Sequence, residues 1–106
     1  MNEATPTLTD LETRVARALR LSDTAAVLLL TTIQDSISTA RAELIRSGVP
    51  DAVANGDGDL AEQAIVTYCL MTMGDEDKYE MYFNAFTYQQ DNLRKTVYPE
   101  NTDDEE

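Results

Sequence analysis

The sequence predicts an all-α fold, a compact bundle of three to four helices with two longer ones. Three observations carry this. Apolar residues recur at three- and four-residue steps, capping signals precede each such run, and glycines or prolines close all but the first. The length sets the scale: 106 residues and 11.8 kDa are one domain's worth of chain. Such a chain buries roughly 65% of its unfolded surface.

The first helix opens on a capping box. Thr9 can cap it while Glu12 reaches back. Leu8, Leu11, Val15, Ala18 and Leu19 then mark one apolar face, and the helix should run to about Arg20. Leu21 to Asp23 breaks the pattern, with Ser22 or Asp23 able to cap a second helix. Its seam is Ala26, Leu30, Ile33, Ile37, Ala40 and Leu44, widened by Val27, Leu29 and Ile45. That width suits a globular bundle rather than a two-stranded coil. Ser47-Gly48 followed by Val49-Pro50 stops it, with Gly48 suited to the left-handed conformation.

Pro50 to Asp59 reads as a loop, on the turn dipeptides Asn55-Gly56 and Asp57-Gly58. Asp59 restarts a helix that ends at Gly74. Leu60, Ala61, Ala64, Ile65, Tyr68, Cys69 and Met73 make it apolar over much of its circumference, which places it centrally. Asp75, Glu76 and Asp77 open a fourth helix, where the dipole favours acids. Its apolar face is Tyr79, Tyr82, Phe83, Phe86 and Leu93, and its end is expected near Thr96. The expected organisation is a flexible lead over 1–7, one helical domain over 8–98 and a disordered acidic tail over 99–106.

Composition excludes several chemistries. There is no His, no Trp and a single Cys. A His-based triad, a His–carboxylate metal centre, a multi-Cys zinc site and an internal disulfide are therefore ruled out. No phosphate-binding glycine loop and no nucleophile elbow is present. Asn55 to Asp59 invites a calcium reading. Counted from Asn55, however, Leu60 occupies the position that needs Gly and Val66 the one that needs Glu. No cofactor and no metal are expected, and an enzyme is not. The start of the chain lacks a signal-peptide pattern, and Ala25–Leu30 is too short to span a bilayer. Cys69 reads as a small buried hydrophobe in a reducing cytoplasm.

The net charge of -12 is lopsided. Residues 1–50 hold six acids and five Arg, a net of -1; residues 51–106 hold fourteen acids and three bases, a net of -11. Nonspecific duplex binding needs a basic excess that is absent here. Arg14, Arg17, Arg20, Arg41 and Arg46 are either a scattered solvated set or a basic surface that meets the acidic half of a neighbouring copy. Tyr79, Tyr82, Phe83 and Phe86 are either core or a subunit interface, and Tyr79, Tyr82, Tyr88 and Tyr98 are the tyrosines expected at a subunit or portal contact. Asp57, Asp59, Asp75, Glu76 and Asp77 are surface carboxylates, suited to capping or to a repelling wall.

Three segments together resemble the small helical head–tail connector proteins of tailed bacteriophages, also called adaptor or head-completion proteins. Leu19 to Leu44 is similar to the family's short helix leading through a polar turn into a long one. Gly58 to Gly74 looks like its central helix, with Leu60, Ala64, Ile65 and Tyr68 on an L-x-x-A-I-x-x-Y pattern offset by one at the Leu. Asp75 to Pro99 resembles the final Tyr-rich helix, ending in Leu93 and the pair Arg94-Lys95. The connection from Gly48 to Asp59 is shorter than in elaborated relatives, and the acidic tail has no counterpart. The resemblance implies a structural role in the virion, at the head–tail junction, after synthesis in the bacterial cytoplasm. It implies a homo-oligomeric ring of about a dozen copies. That ring would sit under the portal protein, extend the DNA channel and dock a tail terminator or stopper. Duplex DNA would pass without specific binding. The charge also admits a second expectation, a small acidic regulatory protein that mimics DNA toward a DNA-binding partner.

Overall fold

The computed structural model describes residues 7–96. Residues 1–6 of the expected 1–7 lead and the tail over 99–106, with Tyr98, lie outside the described residues. The elements are α1 (Asp10–Ala18), α2 (Asp23–Leu28), α3 (Leu30–Arg46), α4 (Asp51–Ala54), α5 (Asp59–Met73), a 3-10 turn (Glu76–Lys78) and α6 (Tyr79–Thr96). The all-α expectation holds: no strand occurs among the described residues. Among the described residues the α-helix count is six, because the expected second helix divides in two and the expected loop after Pro50 holds a further short helix.

The capping box forms as read. Thr9 Oγ1 accepts from the Glu12 N–H at 3.1 Å, and Glu12 Oε1 accepts from the Thr9 N–H at 2.9 Å. The helix ends at Ala18 rather than Arg20. Leu21 N–H bonds to Ala16 O and Arg20 N–H to Arg17 O, both at 2.9 Å, and Arg20 takes a φ of +62°. This is a Schellman turn with an arginine in the left-handed seat usually held by glycine. The same turn closes α3. Gly48 sits at φ +113°, Val49 N–H bonds to Leu44 O and Gly48 N–H to Ile45 O, each at 3.0 Å.

The expected second helix is broken. Leu29 leaves helical geometry at φ -101° and ψ 11°, separating α2 from α3. The β-branched pair Thr31-Thr32 just beyond it weakens local helix preference. The bend lets Ala26 bury while Ile33, Ile37, Ala40 and Leu44 line the core. Three consecutive leucines cannot share one helix face at 100° per residue. Leu28 and Leu29 are left outside. The expected loop after Pro50 also contains structure. Pro50 caps the single turn of α4, and its Ala54 is wholly buried. Asp59 does not cap α5; that seat is Gly58, and Asp59 is the first helical residue. The acidic run after Gly74 forms the 3-10 turn, so α6 starts only at Tyr79.

The core is one cluster with α5 at its centre. Val15, Ile33, Leu44, Ile65 and Cys69 are fully buried in it. α5 packs against α3, α1 and α6, which take different faces of it. α6 has α5 as its principal support. Its expected apolar face is therefore only half covered. Phe86 and Leu93 bury, Tyr82 is half-buried, and Tyr79 and Phe83 remain exposed. The core reading of the aromatic group is thus corrected for these last two. Tyr68 meets the Phe86 ring edge-on at 5.2 Å, a favourable aromatic geometry that anchors α6 to α5.

Candidate interaction surfaces

A groove of about 700 Å³ lies between the start of α1, the middle of α3 and the α4–α5 connection. Thr9, Glu12, Gln34, Arg41, Asp57 and Glu62 give it a polar lining. Its charges are largely engaged within the chain. Glu12, buried at 9% exposure, accepts from Gln34 Nε2 at 3.0 Å as well as from the Thr9 N–H. Arg41 Nε donates to the Ala54 carbonyl at 3.1 Å, tying α4 to α3. The groove is a polar surface held by hydrogen bonds within the chain, lined by a guanidinium and several carboxylates.

The candidate arginines do not form one basic surface. Arg14 reaches across to α5, 3.0 Å from Asp59 and 3.3 Å from Glu62. Arg46 pairs with Glu43 one turn away, which holds the Glu43 carboxyl below its ordinary value. Arg41 is committed to Ala54. Arg17 and Arg20 are exposed at the end of α1, and Arg17 borders a hollow shared with Leu21, Asp23, Ala26 and Val27.

The candidate carboxylates fall into two groups. Asp57 and Asp59 stand at the start of α5, beside the groove and Arg14. Asp75, Glu76 and Asp77 stand past its end, all exposed. The 15 residues of α5 separate the groups, by roughly 22 Å at the helical rise. No three His, Cys, Asp or Glu side chains converge as metal ligands among the described residues.

The tyrosines also separate. Tyr79 stacks on Phe83 with ring centroids 6.2 Å apart, both rings about half exposed. Tyr88 is 69% exposed on another side of α6, where it lines a hollow with Leu60, Gln63, Ala85 and Leu93. Tyr82 is half-buried, and Tyr98 lies outside the described residues. Sequence reasoning missed Leu28, at 78% exposure, and Met81, at 57%. The Leu28-Leu29-Leu30 run was the available signal for the first; nothing local flagged Met81.

Cys69 is sealed in the core, and burial pushes its thiol above the ordinary value. No helix among the described residues is long and apolar enough to cross a membrane. Comparison with family models, with curated proteins and with solved structures gives no match.

Proposed function

We propose that this chain is a structural adaptor, a ring-forming head–tail connector of a tailed phage. The observation that carries the reading is the display of exposed apolar residues on separate flanks of one small domain. Leu28 lies at the α2–α3 break, Tyr79 and Phe83 at the start of α6, and Leu60, Met81 and Tyr88 along α5 and α6. Single exposed apolar residues are ordinary, but the stacked Tyr79–Phe83 pair and the adjacent Leu28 and Leu29 are local apolar patches of the kind that assembly contacts bury. The order of helices and the residues of α5 and α6 named above supply the phage connector resemblance.

In this reading the protein binds other proteins and performs no catalysis. Its partners are further copies of itself, the portal above and a terminator or stopper below. The exposed acids at the start of α6 would keep phosphates off a channel wall, since like charges repel and no basic excess traps the duplex. A charge of -12 on every copy opposes ring closure. Apolar contacts or inter-subunit ion pairs must outweigh that repulsion, and assembly should depend strongly on salt.

Electron microscopy of the full chain mixed with its portal tests this. A ring or a portal-bound layer is expected. Absence of both across a salt series refutes it. The exposed acids from Asp75 to Glu80 favour the DNA-mimic alternative. A pull-down that recovers repressors or nucleases rather than virion proteins would decide for it.

A further inference from the structure

Two of the exposed patches are related in a way that points to each other. Ser36 Oγ lies 3.0 Å from Thr72 Oγ1, so the first half of α3 sits beside the last turn of α5. α2 runs directly into α3, and the 3-10 turn and α6 follow directly from α5. The Leu28 patch and the Tyr79–Phe83 patch therefore lie at the same end of the α3–α5 pair. They lie on different flanks. α1 meets α5 through Arg14 and Glu62, whereas α6 lines α5 at Leu60 and Gln63.

Their rims carry opposite charge. Leu28 shares its flank with Arg17, with Asp23 as the minority sign: Arg17, Asp23 and Val27 border one hollow, and Asp23, Val27 and Leu28 the next; Arg20 and Leu29, both exposed, follow them closely in the chain. Tyr79 and Phe83 are bordered in sequence by Asp75, Glu76, Asp77 and Glu80, with Lys78 as the minority sign. Arginine also stacks favourably on exposed aromatic faces, so the pairing is apolar, ionic and cation–π at once.

We propose that these patches bind each other between copies. Leu28, Leu29, Arg17 and Arg20 of one copy seat on Tyr79, Phe83, Asp77 and Glu80 of the next. The occupant of each patch is a second copy of this chain. Because the two patches differ, the contact is heterologous, and each added copy leaves one patch of each kind open. Because both lie at one end of the α3–α5 pair, the contact suits neighbours standing at one level, and it closes a ring where the rotation between copies divides a full turn. This names the subunit contact of the adaptor reading and rests on it.

A charge-exchange experiment tests it. One variant carries Arg17→Glu and Arg20→Glu; the other carries Asp77→Arg and Glu80→Arg. Circular dichroism verifies that both remain helical. Sedimentation velocity and electron microscopy then read assembly of each full chain, alone and on the portal. Each variant alone should need at least about tenfold more protein to assemble, the loss expected when like charges oppose at a contact. An equimolar mixture should recover wild-type assembly, because an acidic face then always meets a basic one in alternation. Assembly of either variant at the wild-type level, or a mixture that fails to recover, overturns the contact while leaving the ring intact. Failure of the wild type to form any ring or portal layer overturns the ring reading itself.

Discussion

The two Schellman turns make opposed predictions about glycine. At Gly48 the backbone φ is +113°, well past the left-handed well. An alanine there incurs about 1–2 kcal/mol of strain. Its Cβ would lie 3.3 Å from Arg94 Cδ, so the arginine must give way. That loosens the bond from Arg94 Nη1 to the Ser47 carbonyl at 3.2 Å, an exposed contact of about 0.5 kcal/mol. Against this, alanine restricts the unfolded chain by about 0.4–1 kcal/mol. Gly48→Ala should therefore destabilise by about 1–2 kcal/mol. At Arg20 the sign reverses. Its φ of +62° is strained for arginine and easy for glycine. Arg20→Gly removes about 1–2 kcal/mol of strain and returns about 0.4–1 kcal/mol of unfolded-state freedom, a net gain centred on about 0.8 kcal/mol and reaching about 1.6 kcal/mol at most. Urea unfolding of dilute protein, followed by helical circular dichroism, reads both. With a slope near 1.5 kcal/mol/M, the midpoint should fall by about 1 M for Gly48→Ala and rise by about 0.5 M for Arg20→Gly. If both substitutions moved the midpoint in the same direction, the backbone argument would be refuted.

Three further outcomes follow from the same structure. A double-mutant cycle with Arg14→Met and Glu62→Gln should give a coupling of about 1 kcal/mol, and the cycle with Asp59→Asn about 0.3 kcal/mol or less. The Glu62 side chain is 17% exposed and that of Asp59 is 70%; equal couplings in urea titrations would contradict this. Ile65→Ala on the buried face of α5 should cost about 3–4 kcal/mol, whereas Leu60→Ala, at 56% exposure, should stay within about 0.5 kcal/mol of wild type. Thermal melts in dilute solution separate the two. Cys69 should resist thiol reagents at neutral pH until the chain unfolds, and rapid labelling of native protein would show that its pocket opens. Its pKa is raised in the fold, so the folded state favours the neutral thiol. That stability is present below the unfolded thiol value and is lost as pH rises above it. Unfolding midpoints should therefore fall less on the alkaline side when Cys69 is replaced by alanine.

Much of the fold was legible because its signals were local. Thr9 and Glu12 announced their reciprocal bonds from a spacing of three, and Gly48 announced its turn from residue type alone. The alternating seam from Ile33 to Leu44 named the buried face of α3. The break at Leu29 was not legible, because it depends on where α1 and α5 stand when α2 and α3 pack on them. α4 was hidden by Pro50, which reads as a breaker although it also starts a helix well. Arg20 carried no signal of its left-handed seat, since the surrounding turn imposes it. The candidate surfaces divide similarly. Charge counting named the arginines and carboxylates, but the Arg14–Glu62 pair joins positions 48 apart in sequence, and no periodicity reports such a contact. Tyr79 and Phe83 have the spacing of a core stripe. Their exposure follows from the absence of a further helix over that side of α6 among the described residues.

The one-sided support of α6 bears on how the molecule opens. Phe86 and Leu93 are its deeply buried anchors, and both press toward α5. The helix can lift away at the expense of those anchors and their half-buried neighbours, while Val15, Ile33 and Leu44 stay packed between α1, α3 and α5. Its amides should then exchange with deuterium through a partial opening of lower free energy than global unfolding. A neighbouring molecule seated on Tyr79 and Phe83 would close that opening and slow the exchange. Protection along α6 thus reports occupancy of this flank without any label on the protein.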